Sequence, residues 1–117
     1  MKTNRGDVVR VLFPNSDRRT AKRRPALVIQ SDRLKTGLAQ TIIAMITSNL
    51  VNAQNPSRVL VLKSSPEGQQ SGLRLDSVIM TDNLATILET EIDSVLGALP
   101  QQTMVDVSDA LRHTLEL

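Results

Sequence analysis

The residues best suited to chemistry lie in a cationic segment that precedes an apolar run. Residues 18–24 are RRTAKRR, so five of these seven positions carry a positive charge. A loop of this density between two strands is typical of a phosphate-binding site. A loop that is merely solvated has the same composition, and charge alone slightly favours that interpretation. The candidate phosphate contacts in front of Arg24 are Arg18, Arg19, Lys22 and Arg23.

Arg24 differs from the other cations because it directly precedes Pro25. A residue before proline is pushed toward an extended backbone conformation. Arg24 also stands where the cationic segment enters the apolar run ALVIQ, at residues 26–30. We expect Pro25 and the strand formed by this run to fix its position. A fixed guanidinium can bind a phosphate through two parallel hydrogen bonds. Arg24 is therefore the strongest candidate for binding a phosphate in a fixed position.

Two hydroxyl side chains, Thr47 and Ser48, end the most apolar run of the chain, TIIAMIT at residues 41–47. Hydroxyls at the end of a buried strand are well placed to line a site. Ser and Thr also commonly satisfy backbone groups at strand ends. Taken without other information, these two residues favour that structural role.

The remaining polar residues exclude several kinds of site. His113 is the single histidine, so the two-imidazole acid–base pair of pancreatic-type ribonucleases is impossible. The chain has no cysteine, which excludes disulfides and thiolate metal sites. Acidic residues alternate over residues 89–93 without a histidine or cysteine beside them, which favours a solvated edge over a metal site. We expect no metal and no cofactor, and we expect Asp82 to face a cleft.

The distribution of charge and the scarcity of aromatic residues narrow the kinds of partner. Residues 1–58 carry a net charge of +8 and residues 59–117 a net charge of −6. A local positive field attracts an anionic partner even when the whole molecule is nearly neutral. The chain has one Phe and neither Trp nor Tyr, which argues against modules that stack bases on aromatic platforms. Nucleic-acid contacts would then depend on phosphates and hydrogen bonds.

The elements that must position these residues are short strands followed by one helix. A length of 117 residues fits a single domain, residues 1–117. The start lacks an apolar leader and the longest apolar stretch is too short to span a bilayer, so we expect a cytoplasmic chain without membrane contact. Strands are predicted at residues 8–13, 26–30, 41–47, 58–62, 77–80 and 93–99, with loops or turns over residues 18–24 and 63–72.

A C-terminal helix is predicted after Pro100, with Met104, Val107, Leu111 and Leu115 at spacings of three and four. Strands that are close in sequence and joined by tight turns predict a strongly curved antiparallel sheet or a small barrel. The fold class is therefore mainly β with a C-terminal α-helix.

Four blocks of sequence, taken together, resemble the MazF/PemK family of toxins. They are RGDVV at residues 5–9, RPALVIQ at 24–30, AMITS at 44–48, and LDSVI at 75–79 with Thr86 and Ile87. The blocks come in the order that the family has, and the resemblance covers essentially the whole chain through the final helix. Each block alone is weak, but the combination is specific.

The resemblance implies an SH3-like small barrel of the MazF/PemK/CcdB type and a homodimer. It implies a sequence-selective, metal-independent endoribonuclease that cuts single-stranded RNA, including mRNA, and leaves a 2′,3′-cyclic phosphate and a 5′-hydroxyl. It also implies a MazE-like antitoxin partner with an acidic, disordered tail. Arg24 and Thr47 match the catalytic arginine and threonine of the family. RNA contacts are then expected from Arg18, Arg19, Lys22, Arg23, Ser48 and Asp82.

The chain departs from the family pattern at two places. Arg18 and Arg19 stand where some members have an acidic residue or a histidine, and Met80 stands where some members carry a catalytic arginine. The assignment of general acid and general base therefore stays open. Two rival functions also stay open: a gyrase poison of the same fold, and an inactive RNA- or protein-binding barrel. The Arg24–Pro25 strand and Thr47 argue against the gyrase poison, which has no need of that pair.

Overall fold

The computed structural model describes residues 2–14, 17 and 19–117. Strands make up most of the regular structure along these residues, which matches the mainly β prediction. The strands are β1 (Asp7–Pro14), β2 (Ala21–Val28), β3 (Gln40–Thr47), β4 (Arg58–Val61), β5 (Ser77–Leu88) and β6 (Ile92–Ala98). The helices are α1 (Pro66–Ser71) and α2 (Gln101–Leu115), and a 3-10 turn, Glu89–Glu91, joins β5 to β6.

The strands form one antiparallel sheet in the order β4-β5-β3-β2-β1-β6. Met45 on β3 pairs with Met80 on β5, whereas the adjacent Ala44 pairs with Leu84, so β5 holds extra residues at this point. A bulge of this kind bends the strand and increases its twist. The prediction of a curved antiparallel sheet with a C-terminal helix is confirmed. The sheet is open, since β4 and β6 stand at its two ends.

Two apolar clusters lie on opposite faces of the sheet, because neighbouring strand residues alternate between them. Val8 and Leu27 belong to the first cluster, which α2 covers with Met104 and Val107. Val9 and Ala26 belong to the second cluster. The other members of the second cluster are Val11, Val28, Ile43, Met45, Ile87 and Ile92. Burial on both faces explains why β3 and the second half of β2 are apolar almost throughout.

The C-terminal helix follows the predicted pattern for most of its length. Met104 and Val107 are buried, Leu111 is half-buried, and Leu115 is exposed. The apolar stripe therefore contacts the sheet through its first turns and leaves it toward the end. Neither described helix combines the length and the apolar character that crossing a lipid bilayer requires.

The RGD block at the start of the chain has a structural role. The Arg5 guanidinium donates to the carbonyl of Ile29, after β2, and to Oγ of Ser108 on α2 at 2.9 Å. Gly6 has a φ of 96°, which favours glycine. The Asp7 carboxylate accepts the N–H of Asn4 at 2.9 Å. Arg5 thus connects the end of the second strand to the helix that covers the first cluster.

The prediction that residues 18–24 form a loop is wrong from Ala21 onward. Strand β2 begins at Ala21 because its pairing with β1 continues from Val8↔Leu27 to Pro14↔Ala21. Pro25 lies inside the strand rather than at its start. The Val28 carbonyl accepts the Gly6 N–H on the β1 side. Backbone groups alternate in direction along a strand, so the Pro25 nitrogen points toward β3. Strands β2 and β3 are no longer paired at this position, so proline costs the sheet no hydrogen bond.

The predicted turn region over residues 63–72 contains the short helix α1. Its signals were present in the sequence: Ser65 caps the helix by accepting the Gly68 N–H at 3.0 Å, Pro66 opens it, and Gly72 ends it with a φ of 74°. The six-residue length is too short for an apolar periodicity to show. Strand β5 also runs to Leu88, eight residues beyond the predicted end at Met80, because the bulge interrupts its apolar pattern.

Candidate active site

A groove opens where β2 and β3 stop pairing. The two strands are paired from Val28↔Ile43 to Ala26↔Met45, and beyond that point β2 continues beside β1 alone. The space between the separated strands has a volume of about 400 Å³. It is lined by residues 22–25 of β2, by residues 46–48 at the end of β3, by Arg10 and Leu96, and by the segment that enters β5.

Arg24 and Thr47 line this groove together. The register Ala26↔Met45, continued along both strands, sets Arg24 opposite Thr47 across the opening. Arg24 is held through its backbone pairing with Val11 on β1, and its side chain is exposed. The extended backbone expected of a residue before proline is present, because Arg24 lies within β2. The two residues that the sequence singled out therefore meet at one site.

The Thr47 hydroxyl can still donate a hydrogen bond to a ligand. Thr47 is half-buried at the last position of β3, and its Oγ1 accepts the backbone N–H of Asn49 at 3.1 Å. A hydroxyl that accepts one hydrogen bond retains its own O–H as a donor. Thr47 thus satisfies a backbone N–H at the end of the strand, as Thr residues often do, and this hydrogen bond also orients its hydroxyl. Ser48, the next residue, is exposed and lines the same groove.

The groove is strongly cationic. Lys22 and Arg23 line it beside Arg24, and no Asp or Glu is among the lining residues that the structure describes. Arg23 contacts Asp93 on β6 at 3.4 Å, with both side chains largely exposed. An exposed pair of this kind is weak and screened by salt. Arg23 can therefore exchange the carboxylate for a phosphate at small cost.

Two further arginines in the groove, Arg10 and Arg74, were missed by the sequence analysis. Arg10 lies on β1, paired with Pro25 on one side and Ser94 on the other. A cation inside the apolar run VVRVLF was a signal for this position. Arg74 follows α1, and nothing around it in the sequence distinguishes it. Only the packing of α1 against β6 brings it to the groove.

Among the described residues, two predicted RNA contacts, Arg19 and Asp82, are not brought to the groove. Arg18 lies outside the described residues. Arg19 is exposed and is absent from the lining of the groove among the described residues. Asp82, predicted to face a cleft, instead accepts two hydrogen bonds from the Arg58 guanidinium, at 2.9 and 3.1 Å, beside β4. The reason is the bulge in β5, which places Asp82 next to the outer strand of the sheet.

The turn before β2 is held by one carboxylate. Asp17 accepts the backbone N–H groups of Arg19 and Thr20 at 2.9 and 3.0 Å, and also the Thr20 hydroxyl. These donors, with the Thr20 N–H contributing most, lower the pKa of Asp17 below its ordinary value. The turn is therefore held while the carboxylate is charged and is weakened as the pH falls toward the pKa of Asp17. No group of three or more metal-ligating side chains is gathered in the described part of the chain.

Comparison with known proteins decides the family. A family model described as "PemK-like, MazF-like toxin of type II toxin-antitoxin system" matches residues 4–115. The chain belongs to this family. Endoribonuclease MazF6 of Mycobacterium tuberculosis is 36% identical to this MazF-like chain over 107 residues, 91% of the chain and 90% of that protein. Endoribonuclease EndoA of Bacillus subtilis is 30% identical over 94 residues, 80% of the chain and 77% of that protein.

Solved structures share the MazF-like fold. An endoribonuclease in complex with its cognate antitoxin, from a mycobacterial species, superposes with a TM-score of 0.75 at 22% identity, covering 99% of this chain and 97% of that one. A MazE–MazF complex from Deinococcus radiodurans gives a TM-score of 0.75 at 18% identity, covering 98% and 97%. The fold-class prediction and the family resemblance are both confirmed.

Proposed function

We propose that the chain is a sequence-selective endoribonuclease that cuts single-stranded RNA in the groove between β2 and β3. The observation that carries the proposal is the placement of Arg24 and Thr47 on one cationic groove. The relatives named above, which are endoribonucleases, support the same activity. Since mRNA is the substrate class that the resemblance implies, we place the action of the toxin in the cytoplasm.

The reaction needs no nucleophile from the protein, which suits a chain without cysteine. The 2′-hydroxyl of the RNA attacks the adjacent phosphorus, and the bond from phosphorus to the 5′-oxygen breaks. The 2′-hydroxyl loses its proton and the departing 5′-oxygen gains one. The products are therefore a 2′,3′-cyclic phosphate and a 5′-hydroxyl, and the step consumes no metal or other cofactor.

Arg24 stabilises the charge that grows on the phosphate oxygens during the attack. A fixed donor aimed at such a developing charge contributes about 3–4 kcal/mol to transition-state stabilisation. A guanidinium stays protonated at neutral pH, so it is a poor general base. The role of Arg24 is accordingly electrostatic. Thr47, whose oxygen is oriented by the Asn49 N–H, donates its hydroxyl hydrogen to the same phosphate.

Two other cations of the groove hold the phosphates on either side of the cut. Lys22 and Arg23 stand directly before Arg24 on β2 and line the same wall. Contacts of this kind position the RNA without reading its sequence. Ser48 lines the groove next to Thr47. Arg19 lies outside the described lining of the groove and Asp82 is paired with Arg58 beside β4, so the proposal assigns neither of them an RNA contact.

An antitoxin with an acidic, disordered tail is complementary in charge to the cationic groove. Such a tail folds on binding and can lie along a cationic groove, where it excludes RNA. The solved complexes of similar toxins with antitoxins support a partner of this class. The proposal keeps the homodimer as well, because exposed apolar side chains on and directly after β4 and at the end of the chain offer a surface for a second copy. They are Leu60, Leu62, Leu115 and Leu117.

A long single-stranded RNA incubated with the purified protein in the presence of EDTA tests the proposal. Discrete cuts are expected, and they should be weaker when the same sequence is annealed into a duplex. Inhibition of DNA gyrase without any cut would support the gyrase poison instead. Binding of RNA without either effect would support the inactive barrel.

A further inference from the structure

The wall of the groove opposite β2 is built by unusually close backbone packing. A Cβ at Gly72 would overlap the Leu96 carbonyl, and a Cβ at Gly97 would overlap the Gln70 carbonyl. Gly72 also has a φ of 74°, in the left-handed region that favours glycine. These contacts seat the end of α1 directly on β6. The segment that follows Gly72 is therefore held in a fixed position along the groove.

This segment presents one cation and one apolar side chain to the groove. Leu73 is buried in the first apolar cluster and anchors the segment. Arg74 and Leu75, the next two residues, are exposed and line the groove, and Leu75 is 61% exposed. An exposed leucine contributes nothing to binding a phosphate. It does offer an apolar surface that a nucleobase can cover.

Arg10 supplies a second guanidinium to the lining of the groove. It projects from β1 beside Pro25 and is half-buried. Within the described part of the chain, neither Arg10 nor Arg74 uses its guanidinium in an ion pair or a side-chain hydrogen bond. A planar guanidinium can stack on a base or bind the edge of a base through two hydrogen bonds. The described lining of the groove includes no aromatic residue, and these groups replace an aromatic platform.

We propose that Arg74 and Leu75, together with Arg10, form a base-binding subsite that determines which nucleotide is accepted next to the cut. The inference rests on the proposed function and names the part of the groove that reads the RNA. Pockets for small ligands have volumes of roughly 300–1,000 Å³. The groove, at about 400 Å³, lies near the lower end and suits one nucleotide beside the reacting phosphate.

Cutting of a randomised single-stranded RNA library, followed by sequencing of the new ends, tests the subsite. Leu75→Ala and Arg74→Gln are each expected to change the preference at one position beside the cut by about tenfold, the size expected for losing a good base contact. Arg74→Lys should lose the same preference, because it keeps the charge but lacks the planar guanidinium. Thermal unfolding checks that each variant is folded.

Matched controls lie outside the groove. Leu38→Ala removes a leucine with a similar exposure of 60%, and Arg33→Gln removes an exposed cation of the β2–β3 loop. Both controls should keep the wild-type preference. An unchanged preference in Leu75→Ala and Arg74→Gln would overturn the subsite, and so would a loss of equal size for all sequences, which indicates a phosphate contact. Absence of cutting by the wild type would instead overturn the proposed function.

Discussion

Replacement of Arg24 by alanine is expected to reduce RNA cleavage about 100- to 1,000-fold while the fold is kept, the usual cost of removing one donor from a developing oxyanion. The side chain of Arg24 is exposed, and β2 is held to β1 by backbone pairing that alanine preserves. Single-turnover cleavage of a defined oligonucleotide, together with thermal unfolding, measures both quantities.

The matched control for Arg24→Ala is Arg33→Ala, which removes an exposed cation from the β2–β3 loop, outside the lining of the groove. The control should cleave at nearly the wild-type rate. Equal cleavage by Arg24→Ala and the wild type would remove Arg24 from the mechanism. A large loss of thermal stability in Arg24→Ala would show that its exposed side chain supports the fold rather than the reaction.

Replacement of Thr47 by valine is expected to reduce cleavage about 10- to 100-fold. Valine has nearly the shape of threonine, so the change removes the hydroxyl alone. A hydrogen bond to a charged partner contributes about 1.5–3 kcal/mol, which corresponds to this loss of rate. The same cleavage assay measures it at saturating RNA, where a loss of binding does not contribute.

Thr47→Ser is the matched control, because serine keeps a hydroxyl that can accept the Asn49 N–H and donate to a phosphate. It should retain most of the wild-type rate. If Thr47→Ser is as impaired as Thr47→Val, the methyl group matters and the proposed donor role is wrong. If Thr47→Val cleaves like the wild type, Thr47 has only its structural role at the strand end.

The elements that carry the site were predictable because their signals are local. The apolar runs that end at Val28 and Thr47 are buried strands, and proline after Arg24 predicts its extended backbone. The pairing of these two strands then brings Arg24 and Thr47 together. The resemblance to the toxin family supplied the catalytic roles of these two residues. Residue type alone favoured a structural role for Thr47.

The parts of the site that were missed depend on tertiary structure. Arg74 reaches the groove only because α1 packs on β6 through glycines, a contact between segments far apart in the chain. Strand β2 begins at Ala21 because β1 pairs with its polar half, although nothing apolar marks that half. Asp82 was assigned to a cleft because the sequence does not show the bulge that places it beside Arg58.

The central claim is that the ribose hydroxyl of the RNA attacks a phosphate bound by Arg24 and Thr47. It is tested most directly with an oligonucleotide that carries a single 2′-deoxy nucleotide immediately before the established cut, in the presence of EDTA. Cleavage at that bond should stop, while the all-ribose oligonucleotide gives a 2′,3′-cyclic phosphate and a 5′-hydroxyl. Continued cleavage at the modified bond would contradict the account, because the attacking group would then have to come from water or from the protein.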